Sequence, residues 1–280
     1  MKHNLLVSII KTPKVVIREY LHRLPEAGFS WQFCDSPAVE QILSQLRQDG
    51  IALLPGYFQG ERLRRLQSAF EQALKIRGED AGNPAAAASF NLMDLDPVFL
   101  EAATDAVLLE VIARYYRRRF GIGRADALRI EPLANARAGS FQWHHDSRGK
   151  QVKIQVLLTD VNASDQRMTY LRQSHHRYYS YYRSRGEGSR FELDVQANPE
   201  QAARMMDAVG PAGTVGIFDT NGLHSGNRNE SRRRDVLTFY YPTRESRNYR
   251  ALQYRREDVA KLGAVQQQVI TYNPLHKFVD

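Results

Sequence analysis

The chain has 280 residues, of which 42% are hydrophobic and 25% charged, and its net charge is +8. That length fits one large domain or two small ones with an ample core, and the composition excludes disordered and fibrous classes. The single cysteine, Cys34, excludes an internal disulfide and any multi-cysteine zinc or iron–sulfur site, and it suits a reducing, cytoplasmic setting.

No stretch of about 18 apolar residues occurs, so no membrane span is expected. The opening MKHNLLVSIIKTPKVV makes a poor signal peptide, because Lys11 interrupts the apolar run and no small-residue cleavage site follows. The positive charge admits nucleic acid, an anionic membrane surface or an acidic small substrate as partner, and equally a merely basic surface.

Residues 4–22 set Leu5, Leu6, Ile9, Ile10, Ile17, Tyr20 and Leu21 at helical spacing around Pro13. Such a basic, amphipathic segment either packs on the core or makes peripheral contact with a membrane. GIALLPGYF, from residue 50, predicts a short buried strand closed at Pro55-Gly56. Residues 60–76 predict a helix, residues 78–92 a loop of small residues, and residues 104–119 a second helix that Gly121 stops. After residue 125 the pattern turns to strands: RIEPLANAR, SFQWHHD, KQVKIQVLLTDV and RMTYLRQ. A polar excursion (residues 174–210) follows, then GTVGIFDT and RDVLTFYYPT. Helices first and strands later predict an α+β, mainly β chain whose catalytic part is an all-β barrel or sandwich.

The triplet His144-His145-Asp146 carries the chemistry. Residues two apart on a strand share a face, so His144 and Asp146 reach one metal while His145 turns away. His224 in FDTNGLHSGN offers a third ligand. Two imidazoles and one carboxylate leave three octahedral positions open, which suits an iron(II) oxygenase; a zinc hydrolase is the rival for such a ligand set. Trp143 reads as packing beside the metal, and His175 and His176 as surface or turn-stabilising histidines.

WHHD with the strand ending LLTDV, and the stretch GTVGIFDTNGLHSGNRNESRRRDVLTFYY, resemble the phytanoyl-CoA dioxygenase family over roughly residues 50–245. The resemblance implies a double-stranded β-helix (jelly-roll, cupin-like) core with flanking N-terminal helices. It also implies Fe(II) on His144, Asp146 and His224, with 2-oxoglutarate and dioxygen as cosubstrates. It further implies an arginine about ten residues past the distal histidine, on the far carboxylate of 2-oxoglutarate. Arg234 holds that place, with Arg232 and Arg233 as its competitors. A planar guanidinium grips a carboxylate with two parallel bonds that lysine cannot reproduce.

Lys153 and Gln155 share one strand face, and one of them is expected to line the 2-oxoglutarate pocket. Where the family carries Gly-Pro and Pro-Gly-Ser-His, this chain has Gln166, Arg167, Arg172 and Gln173, so its substrate pocket departs from the family pattern. Asp146 stands where halogenating relatives carry a small residue, which favours hydroxylation. In RYYSYYRSRGEGSRF, Tyr179, Arg183 and Arg185 are expected to contact the substrate.

The organisation expected is an N-terminal helical extension at 1–48, the oxygenase domain at 49–250, and a C-terminal extension at 251–280 that packs on the core. The expected activity is hydroxylation of an unactivated C–H bond in a small, anionic, biosynthetic or saccharide- or lipid-linked substrate. A nucleic-acid demethylase of the same cofactor class and a non-catalytic jelly-roll binding protein are the alternatives. The first lacks a nucleic-acid motif, and the intact ligand set opposes the second.

Overall fold

The computed structural model describes residues 24–77, 79–80, 86–132, 142–146, 151–176, 199–227, 229, 231–243 and 249–280. The 4–22 segment and the Tyr179, Arg183 and Arg185 stretch lie outside these residues.

The helices of the first half are α1 (Pro37–Asp49), α2 (Gly60–Arg77), α3 (Pro97–Ala103) and α4 (Ala106–Tyr116). Strand β1 (Ile51–Leu54) lies between α1 and α2, and β2 (Glu79–Asp80) and β3 (Ala86–Phe90) lie between α2 and α3. Then come β4 (Arg124–Ile130), β5 (Gln151–Leu157), β6 (Arg167–Leu171), the short helix α5 (Pro199–Ala202), β7 (Met205–Ala208), β8 (Val215–Asp219), β9 (His224–Asn227) and β10 (Arg234–Pro242). A small pairing of β11 (Gln253–Arg255) with β12 (Lys277–Val279) flanks helices α6 (Arg256–Ala260) and α7 (Ala264–Thr271).

The strands form a seven-stranded sheet in the order β1-β8-β5-β10-β4-β3-β2 and a three-stranded sheet, β7-β6-β9, both antiparallel. Neighbours in the large sheet are far apart in sequence, as β5 between β8 and β10 shows. That is the mark of a jelly roll rather than a meander.

Alternation along the central strands gives the large sheet two faces. Val152, Ile154 and Val156 of β5, Leu237, Phe239 and Tyr241 of β10, and Ala125 and Ala127 of β4 join one core with residues of α1 to α4 such as Leu46, Phe70, Leu109 and Ile112. Each large side chain so buried contributes roughly 1.5–3 kcal/mol. Leu252, Tyr254, Val259, Val269 and Ile270 of the last thirty residues belong to the same core. Buried tyrosines stitch helices to strands: the Tyr116 hydroxyl donates to Tyr241 O (2.6 Å) and accepts from Val152 N–H (2.5 Å), and the Tyr241 hydroxyl donates to Ala103 O (2.7 Å). The opposite face meets the small sheet, where Ile51 and Phe218 pack against Met168, Tyr170 and Ala208.

Four local expectations are corrected. The predicted 78–92 loop contains β2 and β3, because the β4 edge offers β3 a complete ladder from Ala86↔Ile130 to Phe90↔Asp126 that overrides the weak strand preference of alanine. The predicted 104–119 helix is shorter, α4 at Ala106–Tyr116: Asp105 starts it by accepting from the Val107 and Leu108 amides, and Arg117, not Gly121, closes it in the left-handed conformation (φ 53°), while α3 before it was not predicted. The strand predicted from Arg129 begins earlier, at Arg124. The polar excursion at 174–210 contains β7, which pairs with β6.

Gly213 sits at φ +85° in the turn before β8, accepts from Phe58 N–H (3.0 Å) and donates to Leu157 O (2.7 Å). A Cβ there would lie 1.9 Å from Phe58 O. Gly213→Ala should therefore destabilise the protein by about 2 kcal/mol or more, read as a lowered denaturation midpoint. An unchanged midpoint would show that this turn relaxes freely.

Candidate metal centre

The site is built on the turn between β8 and β9. The Asp219 carbonyl accepts from Gly222 N–H (3.1 Å), its carboxylate accepts from Asn221 N–H (2.8 Å), and Ser174 Oγ accepts from Leu223 N–H (2.8 Å). Gly222 is required here, since a Cβ would lie 1.9 Å from the Tyr170 hydroxyl, which itself donates to Asp219 O. The turn delivers His224 to the start of β9, opposite Tyr170 of β6.

On its other side His224 forms a single antiparallel bridge with His144, each amide donating to the other's carbonyl at 2.9 Å. Asp146 N–H donates to Thr220 O (3.0 Å). The predicted strand SFQWHHD is thus reduced, among the described residues, to this one bridge at the edge of the small sheet. It still performs the alternation expected of it: His144 and Asp146 meet His224, while His145 lies buried outside the cluster.

One ligand atom from each of His144, Asp146 and His224 lies within 4.8 Å of the others. His144 Nε2 is 3.4 Å from Asp146 Oδ1, and His224 Nε2 is 3.4 Å from Asp146 Oδ2. The Nδ1 of His144 faces Gln142 O (2.7 Å) and that of His224 faces Gly222 O (3.0 Å). A carbonyl only accepts, so each Nδ1 carries a proton and each Nε2 is the ring nitrogen turned to the centre. Burial and the neighbouring His144 hold His224 below the usual imidazole range, which favours the neutral, metal-binding form. Burial pushes the Asp146 carboxyl up. The Lys153 ammonium and the two imidazoles overcome that and hold it well below the usual carboxylate range. Two imidazoles with inward Nε2 atoms and an ionised carboxylate fit a divalent transition metal with open positions.

The cluster lies at one end of a polar row on the inner face of the large sheet. Lys153 Nζ is 2.5 Å from Asp146 Oδ2 and 4.4 Å from the centre of the Tyr240 ring, its register partner on β10. Arg124, the partner of Tyr240 on β4, stacks on that ring (5.2 Å) and on Phe90 (5.0 Å) and donates to Asp126 (2.7 Å). Burial pushes the Asp126 carboxyl up, against the pull of Arg124. One step down the strands, Gln155 pairs with Thr238, whose hydroxyl is buried without a hydrogen-bond partner among the described residues.

Arg234 heads the same face of β10, in alternation with Val236, Thr238 and Tyr240. Of the three consecutive arginines it is the buried one, 7% exposed, whereas the side chains of Arg232 and Arg233 are 72% and 44% exposed. The unsatisfied Thr238 hydroxyl between Arg234 and the metal cluster suits a hydrogen-bonding ligand laid along the row. Tyr240, Thr238, Arg124 and Asp126 escaped the sequence reading. The alternation counted onward from Arg234 would have found the first two.

Other residues lie aside. Trp143 packs on Leu171 and Leu223. His175 is buried in a turn where its ring meets Arg47 O (3.2 Å), which ties the turn to α1. Cys34 is half-buried against the main core, and burial pushes its thiol up. No helix among the described residues is long and apolar enough to cross a membrane.

No protein-family model matches this chain, and no curated protein does. Solved structures do match. EctD from S. alaskensis with bound Fe aligns at a TM-score of 0.60 and 22% identity, covering 80% of this chain and 83% of that one. HygX from Streptomyces hygroscopicus, with nickel and 2-oxoglutarate bound, aligns at 0.59 and 19%, covering 78% and 91%. The non-heme alpha ketoglutarate dependent epimerase SnoN from nogalamycin biosynthesis aligns at 0.58 and 16%, covering 74% and 84%. At such identities the likeness establishes architecture, and that architecture is the double-stranded β-helix.

Proposed function

We propose that this chain is a non-haem Fe(II)- and 2-oxoglutarate-dependent dioxygenase of the phytanoyl-CoA dioxygenase type. The observation that carries the reading is the cluster of His144, Asp146 and His224, with both Nδ1 atoms anchored and both Nε2 atoms turned inward. Solved structures of the same fold hold iron, or nickel with 2-oxoglutarate, in agreement with it.

The bound iron would supply the oxidation: dioxygen and 2-oxoglutarate give succinate, carbon dioxide and one oxygen atom inserted into a substrate C–H bond to form an alcohol. The protein's share is binding and exclusion. His144, Asp146 and His224 hold the ion, and Arg234 takes the far carboxylate of 2-oxoglutarate. Gln155 and Thr238 line the stretch between. The apolar cluster of Tyr170, Met168 and Phe218 packs beside the metal end of the row. The protein acts in the cytoplasm on a small molecule. HygX and SnoN support the small-molecule reading, having been crystallised with hygromycin B and with nogalamycin RO.

Anaerobic metal titration tests the ligand set. His144→Ala, Asp146→Ala and His224→Ala should each weaken iron binding by more than about 100-fold and abolish succinate release, while His145→Ala keeps its iron. Equal loss in His145→Ala would overturn the assignment.

Arg234→Leu should leave iron in place and weaken 2-oxoglutarate at least about tenfold, since a hydrogen bond to a charged group is worth about 1.5–3 kcal/mol. The same loss in Arg233→Leu alone would move the role to that neighbour.

The substrate carries an anionic group, met by Arg183 and Arg185 beside Tyr179. The net charge of +8 and the interleaved arginines and tyrosines of that stretch support this. The Arg183→Gln/Arg185→Gln double variant should raise the substrate KM strongly, with little change in uncoupled 2-oxoglutarate decay, and the wild-type advantage should fade with added salt. An unchanged KM would end the anionic reading and leave the oxygenase reading standing.

A further inference from the structure

Lys153 occupies an unusual place for a lysine. It lies on β5, the strand between β8 and β10 near the middle of the large sheet, and its side chain is only 12% exposed. Phe218 and Tyr240 are its register partners on the two sides, and the ammonium rests over the Tyr240 ring. Held from both sides, the chain extends toward Asp146, where Nζ meets Oδ2 at 2.5 Å. The sequence reading placed Lys153 among residues lining the 2-oxoglutarate pocket. The register separates it from that carboxylate's proposed partner. Arg234 and Tyr240 are six positions apart on β10, about 20 Å of strand, so Arg234 and Lys153 mark opposite ends of the row.

We propose that Lys153 is a positioning residue for the metal carboxylate: its ammonium engages Oδ2 of Asp146, so that Asp146 offers the metal a single oxygen. The inference rests on reading the cluster as a metal centre and adds what that reading leaves open. A carboxylate free at both oxygens can take two positions on a metal. A six-coordinate ion with three one-atom protein ligands keeps three positions open, two for a 2-oxo acid and one for dioxygen. A two-atom grip by Asp146 would remove one of them. An ammonium on Oδ2 prevents that grip, and it also opposes the divalent ion by charge. Lys153 thereby trades metal affinity for room at the metal.

The trade predicts shifts of opposite sign. Lys153→Met keeps the reach of the side chain and removes its charge and its donors. Titrated anaerobically with Co(II), this variant should bind the metal several-fold more tightly than the wild type, and its visible Co(II) spectrum should change. Its Co(II) form should bind 2-oxoglutarate about tenfold more weakly. It should also bind 2-oxobutyrate, which lacks the second carboxylate, more weakly by the same factor. Arg234→Leu should weaken 2-oxoglutarate alone. Lys153→Gln, which retains an N–H donor, should recover much of the 2-oxo acid affinity. Tyr240→Leu, which frees the ammonium from its ring contact, should give the Met variant's shifts at smaller size and serves if Lys153→Met does not fold.

A Lys153→Met variant that loses 2-oxoglutarate but keeps wild-type affinity for 2-oxobutyrate would overturn the proposal and make Lys153 a direct partner of the far carboxylate. Unchanged Co(II) and 2-oxo acid affinities would overturn it as well. A wild-type protein that binds no Co(II) would instead fail the metal-centre reading itself, and this inference with it.

Discussion

Two backbone hydrogen bonds of 2.9 Å between His144 and His224 hold the site together. They join segments 80 residues apart in sequence (224 − 144). A side-chain cluster gathered from such a distance needs a backbone reference, because rotamers alone leave each imidazole free by several ångströms. The bridge supplies that reference. The β8–β9 turn, whose tightness depends on Gly222, supplies the rest by receiving Asp146 through Thr220 O. Side-chain anchors then finish the work: each histidine rests its Nδ1 on the carbonyl two residues before it, so ring orientation and tautomer follow from the local chain path.

The large sheet makes this affordable energetically by dividing its labour. Along β5 and β10 one face is almost wholly aliphatic and aromatic and carries the helical layer. The other face bears Lys153, Gln155, Thr238, Tyr240 and Arg234, with Asp126 of β4 opposite Thr238. Polar groups buried without full compensation cost about 1–3 kcal/mol each, and the packed outer face offsets that cost. Apolar clusters accompany the row: Tyr170 and Met168 of the small sheet pack with Phe218 beside its Lys153 end, and Leu157 and Val236 of the large sheet sit between Arg234 and Thr238.

Much of this is legible in the sequence, for physical reasons that differ from case to case. The strands GTVGIFDT and RDVLTFYYPT announce themselves because central strands are apolar on both faces or strictly alternating. The His-x-Asp spacing is informative because alternation holds even where, among the described residues, the pairing is a single bridge. The same reasoning fails for β3. Its alanines carry no strand signal, and only the waiting edge of β4 makes them a strand. It fails also before Asp105, where the short helix Pro97–Ala103 was not predicted and a capping carboxylate starts the next helix. The inner row was half visible. Arg234 and Lys153 were singled out, but their separation along the sheet depends on the β5–β10 register, which no local pattern encodes.

That register also sets the charge balance of the row. Three cations (Arg124, Lys153, Arg234) stand against two carboxylates (Asp126, Asp146), and burial pushes one of these, Asp126, toward its neutral form. A divalent ion on the histidines and Asp146 would raise the excess further. A buried excess of charge is unfavourable in proportion to how poorly water reaches it. On the proposed reading, a dianion arriving once a metal is in place would be laid from the metal toward Arg234 along the Gln155 and Thr238 step. On the proposed reading metal and 2-oxo dicarboxylate would be coupled, each lowering the electrostatic cost of binding the other.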